Sequence, residues 1–413
     1  MSSYWSGQTA ASPGGSSRTD VRESGICAVH RCIRGFDLAN FGVGKTRGCM
    51  RTGWSPVIVG CFLVGCGSAE QGRIGDAYPR DSASRAFLAS IEPAIESTGV
   101  QIARWTVTGS VATAVIQYNT EQATLFASNP GVVGVVGHAG SRDALLGAAV
   151  YNAQGVPNVV PNSTSARLAR SGPWTFTLVP NDSVQGEFIA RYALDSLKVE
   201  RIGVLYVGDE YGIGLRDGVQ SALGRRQMEL AGATMIPSDG CWSPRGGVVV
   251  DPIVRAAIRR ARPDAVVITS GSANGWCVAD YVHAANPATW ILFSDGMDGA
   301  RTIPVKATHI VSSRVRGVTF WEPADDTLNA AFLKRVQPLL GRQPVASQAL
   351  QYDAFMLLAA AVRDVGPDRM AIRNWLESLG RTRQPWIGVT GPIAFNHPRS
   401  EILRMTGPEE EER

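Results

Sequence analysis

From residue 73 onward the chain alternates short apolar runs with longer stretches whose apolar positions recur every three to four residues. Arg73 to Pro79 reads as a first strand with its exit loop, Val100 to Val107 as a second, and Val132 to Val136 as a third. Val156 to Pro161 and Thr175 to Val179 follow as strands. The unbroken Val132 to Val136 run lacks polar alternation, which is the pattern of a strand buried on both faces of a parallel sheet. Between these runs the spacing predicts helices over Ser82 to Glu96 and Val111 to Ala127, and another carrying Ala144, Leu145, Ala148 and Ala149. Such βαβα order predicts an α/β fold, a parallel sheet with helices on both faces.

The pattern repeats after residue 180. Asp182, with Gln185 three residues on, has the form of a capping box, and Phe188, Ile189, Tyr192, Ala193 and Leu197 recur at helical spacing. Strands are predicted over Ile202 to Val207, Ala233 to Pro237, Ala265 to Thr269 and Trp290 to Phe293. Helices carry Leu215, Val219 and Leu223, start at Asp251-Pro252, and cover Cys277 to Ala285. From about Met297 the chain is expected to return to the first lobe, with a strand over Gly317 to Trp321. Helices near Leu328 to Leu339, Ser347 to Val362 and Met370 to Leu379 follow, the last stopping at Gly380 as a C-terminal glycine should.

Two places concentrate polar chemistry at strand ends. The loop Gly137-His138-Ala139-Gly140-Ser141 leads into a helix, so a hydroxyl and free backbone N–H groups meet at a helix N-terminus, which favours anions. Asn162-Ser163-Thr164-Ser165 follows the next strand and reads as a second hydroxyl-rich helix start. In the second half, the loop after Val207 delivers Asp209, Tyr211, Gly212 and Gly214, and Ser294-Asp295-Gly296 ends another strand. Ligands of open α/β sheets bind beyond the carboxyl ends of strands, where these groups fall.

The segments GVVGVVGHAGS, VPNVVPNSTS, TFTLVPNDSVQGEFIARYAL, RIGVLYVGDEYGIGL, QYDAFMLLAAAV and IGVTGPIAFN, in this order over roughly residues 73 to 400, resemble the periplasmic binding protein type I family. Within it they are similar to the branched-chain amino-acid and amide receptors of ABC transporters. The resemblance implies two Rossmann-like lobes with parallel sheets flanked by helices, joined by a three-crossover hinge. Lobe 1 would comprise residues 73–179 plus 297–386, and lobe 2 residues 180–296 plus 387–405, with an acidic tail over 406–413. It implies that Ser141 and Thr164 hold a ligand carboxylate while Tyr211 and a second-lobe acid, Asp295 or Asp239, meet the amino end. Gly140, Ser163 and Tyr78 complete the candidate set. The family has a proline where His138 stands, and its Gly-Gly turn before the second strand is missing here.

Each assignment has a plainer rival. Ser141 and Thr164 can be helix caps, Tyr211 a packed wall, and Asp295 a cap or a bridge between lobes. His138 beside Ser141 suggests a base and nucleophile, but no third orienting group and no nucleophile elbow G-x-S-x-G accompany them. No metal motif, paired catalytic carboxylates or nucleotide fingerprint is present, so the reading is not an enzyme and no cofactor is expected.

The first 66 residues stand apart from the fold. Val57 to Gly65 is a short apolar stretch preceded by Met50-Arg51, and Leu63-Val64-Gly65-Cys66 resembles a bacterial lipobox. Residues 50–66 then form a lipoprotein signal peptide, to be kept out of fold reasoning, with Cys66 the lipidation site and 1–49 a leader preceding the true start at Met50. Gly67 after the cysteine favours the outer membrane over the inner in a two-membrane cell. The leader holds two decoys: a partial phosphate-loop pattern at Gly42 to Thr46, with Ala39 where a glycine is needed, and Cys27, His30 and Cys32 without a second ligand pair.

Processing also changes the charge. Seven of the 40 Lys+Arg and three of the 36 Asp+Glu lie in residues 1–66, leaving 33 of each and a neutral mature chain. Nothing then marks a nucleic-acid surface. Of seven cysteines, only Cys241 and Cys277 remain unmodified beyond the signal, and a lone pair in an oxidising compartment predicts a disulfide. The function read from the sequence is an extracytoplasmic receptor, in the periplasm or on the cell surface and touching the membrane through its lipid anchor only. It would pass an amino acid or related carboxylate to an ABC transporter permease. The alternative is a lipoprotein regulator of a cell-envelope partner on the same fold, resembling activators of penicillin-binding proteins.

Overall fold

The computed structural model describes residues 72–78, 82–104, 114–238, 250–300 and 312–407. The chain divides into two units at Gly65 and Cys66, and every described residue belongs to the second. The expected leader and signal, with Cys66, therefore lie outside the described residues, as do Asp239 and Cys241.

In the first lobe, β1 (Arg73–Asp76), β2 (Gln101–Ala103), β3 (Val132–Val136), β4 (Asn158–Val160) and β5 (Thr175–Thr177) form a parallel sheet of order β2-β1-β3-β4-β5. Helices α1 (Ser82–Glu96), α2 (Ala114–Ser128) and α3 (Ser141–Gln154) make the crossovers. All five residues of β3 are buried, as expected from its uniform apolar run. The stretch after β4 departs from expectation: no α-helix starts at Asn162 to Ser165, and only a 3-10 turn, Leu168–Arg170, follows before β5. Pro161 and the brief connection to Thr175 leave no length for a helix that could cover the sheet.

The second lobe uses α4 (Asp182–Arg191), continued by a π-turn over Tyr192–Ser196, then β6 (Ile202–Val207), α5 (Glu210–Gly224), β7 (Gly232–Ile236), α6 (Val250–Ala261), β8 (Ala265–Thr269), α7 (Ser272–Ala285) and β9 (Trp290–Phe293). The strand expected to start the return to lobe 1, β10 (Val315–Thr319), instead pairs in parallel with β9, Val315 opposite Ile291. The boundary set at Met297 is thus corrected: the chain leaves the second sheet after Thr319. An apolar run identifies a strand but not the sheet that receives it, and the open edge of β9 lay nearest in sequence. With β13 (Arg404–Thr406) antiparallel on β10, this sheet has order β13-β10-β9-β8-β6-β7.

Between β10 and β13 the chain adds α8 (Thr327–Leu340), α9 (Ala346–Val365), α10 (Arg369–Ser378) and the hairpin β11 (Trp386–Gly388) and β12 (Gly391–Ile393). Helix α9 packs on β1, β3 and β4 and is buried over Leu357 to Ala361. A Cβ on Gly134 would meet Leu358 at 3.0 Å, so the glycine in β3 is what lets α9 lie close. Burying a leucine such as Leu358 contributes about 1.5–3 kcal/mol.

The chain passes between the sheets three times: after β5, after β10 and before β13. Buried polar groups tie these passages together. Arg399, 2% exposed, donates from Nη1 to the Leu178 carbonyl and from Nη2 to the Thr390 carbonyl, both at 2.8 Å. The Asp353 carboxylate accepts from the N–H groups of Val389 and Thr390, each at 2.8 Å, and from the Thr390 hydroxyl at 2.6 Å. Trp321 Nε1 donates to Asn329 Oδ1 and to the Val389 carbonyl. These bonds hold the three passages in one arrangement, with Arg399 Nε the one nitrogen of its guanidinium left without a hydrogen bond.

Candidate functional site

The carboxyl ends of the two sheets border a cleft of about 940 Å³. Its first-lobe wall begins where β3 gives way to α3. Gly140, at φ 82°, turns the chain into the helix, and Ala144 N–H donates to its carbonyl at 3.0 Å. A left-handed φ there is cheap only for glycine. Ser141 follows as the first residue of α3; it is 4% exposed, lines the cleft, and its Oγ makes no hydrogen bond. A hydroxyl held among free helix N–H groups without a partner is prepared for an acceptor. Asp143, in the same first turn, lines the same wall; burial raises its pKa while the Arg142 charge pulls it down.

The second-lobe wall is a tied polar cluster. Asp209 caps α5, its side chain accepting from Gly212 N–H at 2.8 Å, and this sets Tyr211 in the first turn. The Tyr211 hydroxyl lies 2.7 Å from Asp295 Oδ1 and 2.8 Å from Ser294 Oγ, and it accepts from Gly296 N–H at 2.8 Å. Gln185 grips Asp295 at both ends: Nε2 donates to Oδ1 at 2.8 Å, and Oε1 accepts from the Asp295 N–H at 3.1 Å. Burial pushes the Asp295 carboxyl up to about 6, against the pull of the Tyr211 and Gln185 hydrogen bonds. Apolar residues Val207, Met235, Ile236 and Ile253 also line the cleft, with Phe320 and Leu350 of the returning chain, beside the polar Glu210 and Ser238.

Of the residues singled out in the sequence, Gly140, Ser141, Tyr211 and Asp295 line this one cleft. Thr164 does not; it is 1% exposed behind the wall, its carbonyl accepting from Asp182 N–H at 2.7 Å and its hydroxyl beside the Asp182 carboxyl. Ser163 is buried with its Oγ 3.4 Å from the His138 carbonyl. Tyr78 is also buried and donates to Asn162 Oδ1 at 2.7 Å, so it positions Asn162, which does line the cleft. Cys277, in α7, is disulfide-bonded.

Two readings of individual residues change. The cap of α4 is Asn181, whose side chain accepts from Ser183 and Val184 N–H groups; Gln185 has left the capping role to hold Asp295. His138 does not serve Ser141: Nδ1 pairs with Asn119 Oδ1 and Nε2 with the Tyr151 hydroxyl, each at 3.0 Å, and burial drops its pKa to about 4. Gln185, Ser294 and Asn162 were not read from sequence as site residues. Only Asn162 and Ser294 carried a signal, as polar neighbours of singled-out positions at strand ends. Among the described residues, no group of three His, Cys, Asp or Glu is placed to hold a metal ion.

Comparison with known proteins bears on the family and the fold. A family model described as periplasmic binding protein matches residues 116–402. The leucine-specific-binding protein of Salmonella typhimurium is 30% identical over 96 residues, 23% of this chain and 26% of that protein, so this match spans about a quarter of the relative. The Leu/Ile/Val-binding protein homolog 1 of Brucella abortus is 23% identical over 279 residues, 64% of this chain and 68% of that one. Among solved structures, an ABC transporter substrate-binding protein from Desulfitobacterium hafniense in complex with Leu superposes with a TM-score of 0.64 at 19% identity, covering 83% of this chain and 98% of that one. A solute-binding protein of an ABC transporter from R. palustris in complex with 4-hydroxybenzoate gives 0.66 at 12% identity, over 83% and 94%.

Proposed function

The chain belongs to the periplasmic binding protein family, and we propose that it captures a small carboxylate-bearing solute, an amino acid, in the interlobe cleft and hands it to an ABC transporter permease. The family is one of solute-binding proteins rather than enzymes and implies an extracytoplasmic location. The observation that carries the ligand reading is the pairing of opposite chemistries on the two walls. Ser141 offers an unpartnered hydroxyl at the N-terminus of α3, suited to a carboxylate, and Asp295, held by Tyr211 and Gln185, offers a carboxylate suited to an ammonium group. The apolar stretch from Met235 to Phe320 then takes the side chain. Relatives whose names specify leucine, isoleucine and valine support the same class. Cys66, in the lipobox-like LVGC, is the proposed lipid anchor.

A thermal-shift screen of the protein against amino acids, amides, urea and aromatic acids tests the reading, because a ligand bound only by the native state raises apparent stability. The expected result is stabilisation by one or more amino acids, abolished when the carboxylate is amidated. A screen in which the amide stabilises as well as the acid would remove the carboxylate site from consideration. Acylation of Cys66 is read separately, by mass spectrometry of the N-terminal peptide from bacterial membranes; an unmodified cysteine there excludes the anchor.

A further inference from the structure

A second cavity, of about 380 Å³, shares no lining residue with the cleft and lies against β5. β5 is the last strand of its sheet. Asn158 N–H donates to the Trp174 carbonyl and Leu178 N–H to the Val160 carbonyl, so alternate residues from Trp174 to Leu178 face β4. Thr175 and Thr177 therefore turn their backbone groups to the opposite side, and among the described residues no strand pairs there. Both threonines line the cavity.

The charge around this space is unbalanced. Three arginines, Arg373, Arg381 and Arg399, line it against one glutamate, Glu377. Arg373 is spoken for, paired with Glu377 at 2.5 Å and donating from Nε to the Pro173 carbonyl. Arg399 is 2% exposed, and its two terminal nitrogens serve the hinge. Its Nε is buried without a hydrogen bond, the nearest carboxylate, Glu401, being 4.0 Å away. Arg381 is exposed, and among the described residues no ion pair or side-chain hydrogen bond engages it. An N–H of a guanidinium kept from both water and protein acceptors is unfavourable, and an oxyanion relieves it through a charge-assisted bond.

We propose that this cavity is a second ligand site, separate from the cleft, which takes a small oxyanion carrying a carboxylate or phosphate group between buried Arg399 and rim-side Arg381. The edge N–H groups of β5 and the Thr177 hydroxyl supply further donors, and Glu377, the one acid of the lining among the described residues, is already paired. The site draws on the passage after β5, through Val179 and Asn181, and on the passage before β13, through Ala394 to Arg399. An anion bound there bridges two of the three hinge segments.

Calorimetric titration of the whole chain with inorganic phosphate, and separately with acetate, each against chloride at equal ionic strength, tests this. The expected result is saturable one-site binding of at least one anion, weakened about tenfold or more by Arg381→Glu, partly retained by Arg381→Lys and unchanged by Ser141→Ala. Phosphate alone saturating assigns a phosphate group, and acetate alone a carboxylate. Because Arg381 is exposed, the charge reversal is expected to fold, which a melting curve checks; Arg399→Lys gives a second reading from the buried side, again as weakened binding. Equal binding by the parent and Arg381→Glu overturns the proposal, as does loss of binding in Ser141→Ala, which would put the anion in the cleft. Failure of both anions to saturate the parent at millimolar concentration also overturns it.

Discussion

A buried hydroxyl without a partner costs about 1–3 kcal/mol of stability, and Ser141 carries one, whereas the Thr164 hydroxyl lies beside the Asp182 carboxyl. Only Ser141 reaches the cleft, so the two should respond differently to alanine. Ser141→Ala is expected to weaken ligand binding about tenfold to a hundredfold, since a hydrogen bond to a charged acceptor is worth about 1.5–3 kcal/mol, while leaving the ligand-free protein as stable as before or more so. Thr164→Ala should give no such gain in melting temperature, because it takes a donor from the buried Asp182 carboxyl, and a smaller loss of affinity by calorimetry. Equal losses of affinity would bring Thr164 to the ligand as well. Asp182 sets the pH response of the same neighbourhood. Burial, with Asp295, Glu210 and Asp209 adding to it, pushes its carboxyl from 3.8 up to about 8, and burial raises Asp295 and Asp353 to about 6. Each is raised, so the folded protein holds protons that the unfolded chain releases. The favourable contribution is complete below the unfolded value and is lost as pH climbs through the folded one. Unfolding free energy from denaturant titrations should therefore decline as pH rises from about 4 to about 8, by up to about 1.4 kcal/mol per pH unit for each group titrating. Asp182→Asn should flatten the upper part of that slope; an unchanged slope would assign it to other groups.

The α4 and α5 helices meet through glycine. A Cβ on Gly218 would lie 2.4 Å from the Asp182 carbonyl oxygen, and one on Gly186 2.5 Å from the Gly218 backbone, so both positions exclude any larger residue without separating the helices. Gly224, at the end of α5, has nothing within 4 Å. Gly218→Ala should destabilise the protein by about 1–3 kcal/mol through overpacking, whereas Gly224→Ala should stabilise it by about 0.5–1 kcal/mol through helix propensity. Chemical denaturation of the pair decides, and a destabilised Gly224→Ala would mean that the backbone there needs glycine. On α7, Cys277 is bonded, and Cys241 is the partner proposed from the sequence. Peptide mapping without reduction should recover the two in one fragment, and recovery of either as a free thiol excludes the pairing. Elements such as β3 and α9 were legible because burial on both faces leaves uninterrupted apolar runs. What was misassigned from sequence was membership: β10 was expected in the first lobe but pairs with β9, because its neighbours are chosen by spatial proximity that local pattern does not encode. Gln185 was misread for a similar reason. Its spacing from Asp182 fits a capping box, but its partner, Asp295, lies 110 residues away, and only the folded chain brings them together.

Across the whole molecule, two lobes joined by three passages make a fold in which the binding wall is complete only when both sheets contribute. The cleft leaves apolar side chains with unfinished burial. Met235, in β7, is 61% exposed at its margin, with Ile253, Phe320 and Leu350 lining the same space. Solvent contact of this kind is unfavourable by about 25 cal/mol for each Å². If a solute draws the lobes together, Met235 is covered along with it. Apolar surface leaving water gives a negative heat-capacity change, the most dependable mark of that process. Calorimetry of the best ligand at several temperatures should then show a heat-capacity change more negative than burial of the ligand's own surface explains, and Met235→Gln should shrink it while leaving one-to-one stoichiometry intact. A heat-capacity change that Met235→Gln does not move would place β7 outside the closing surface and leave the polar contacts of Ser141 and Asp295 to act in an open cleft.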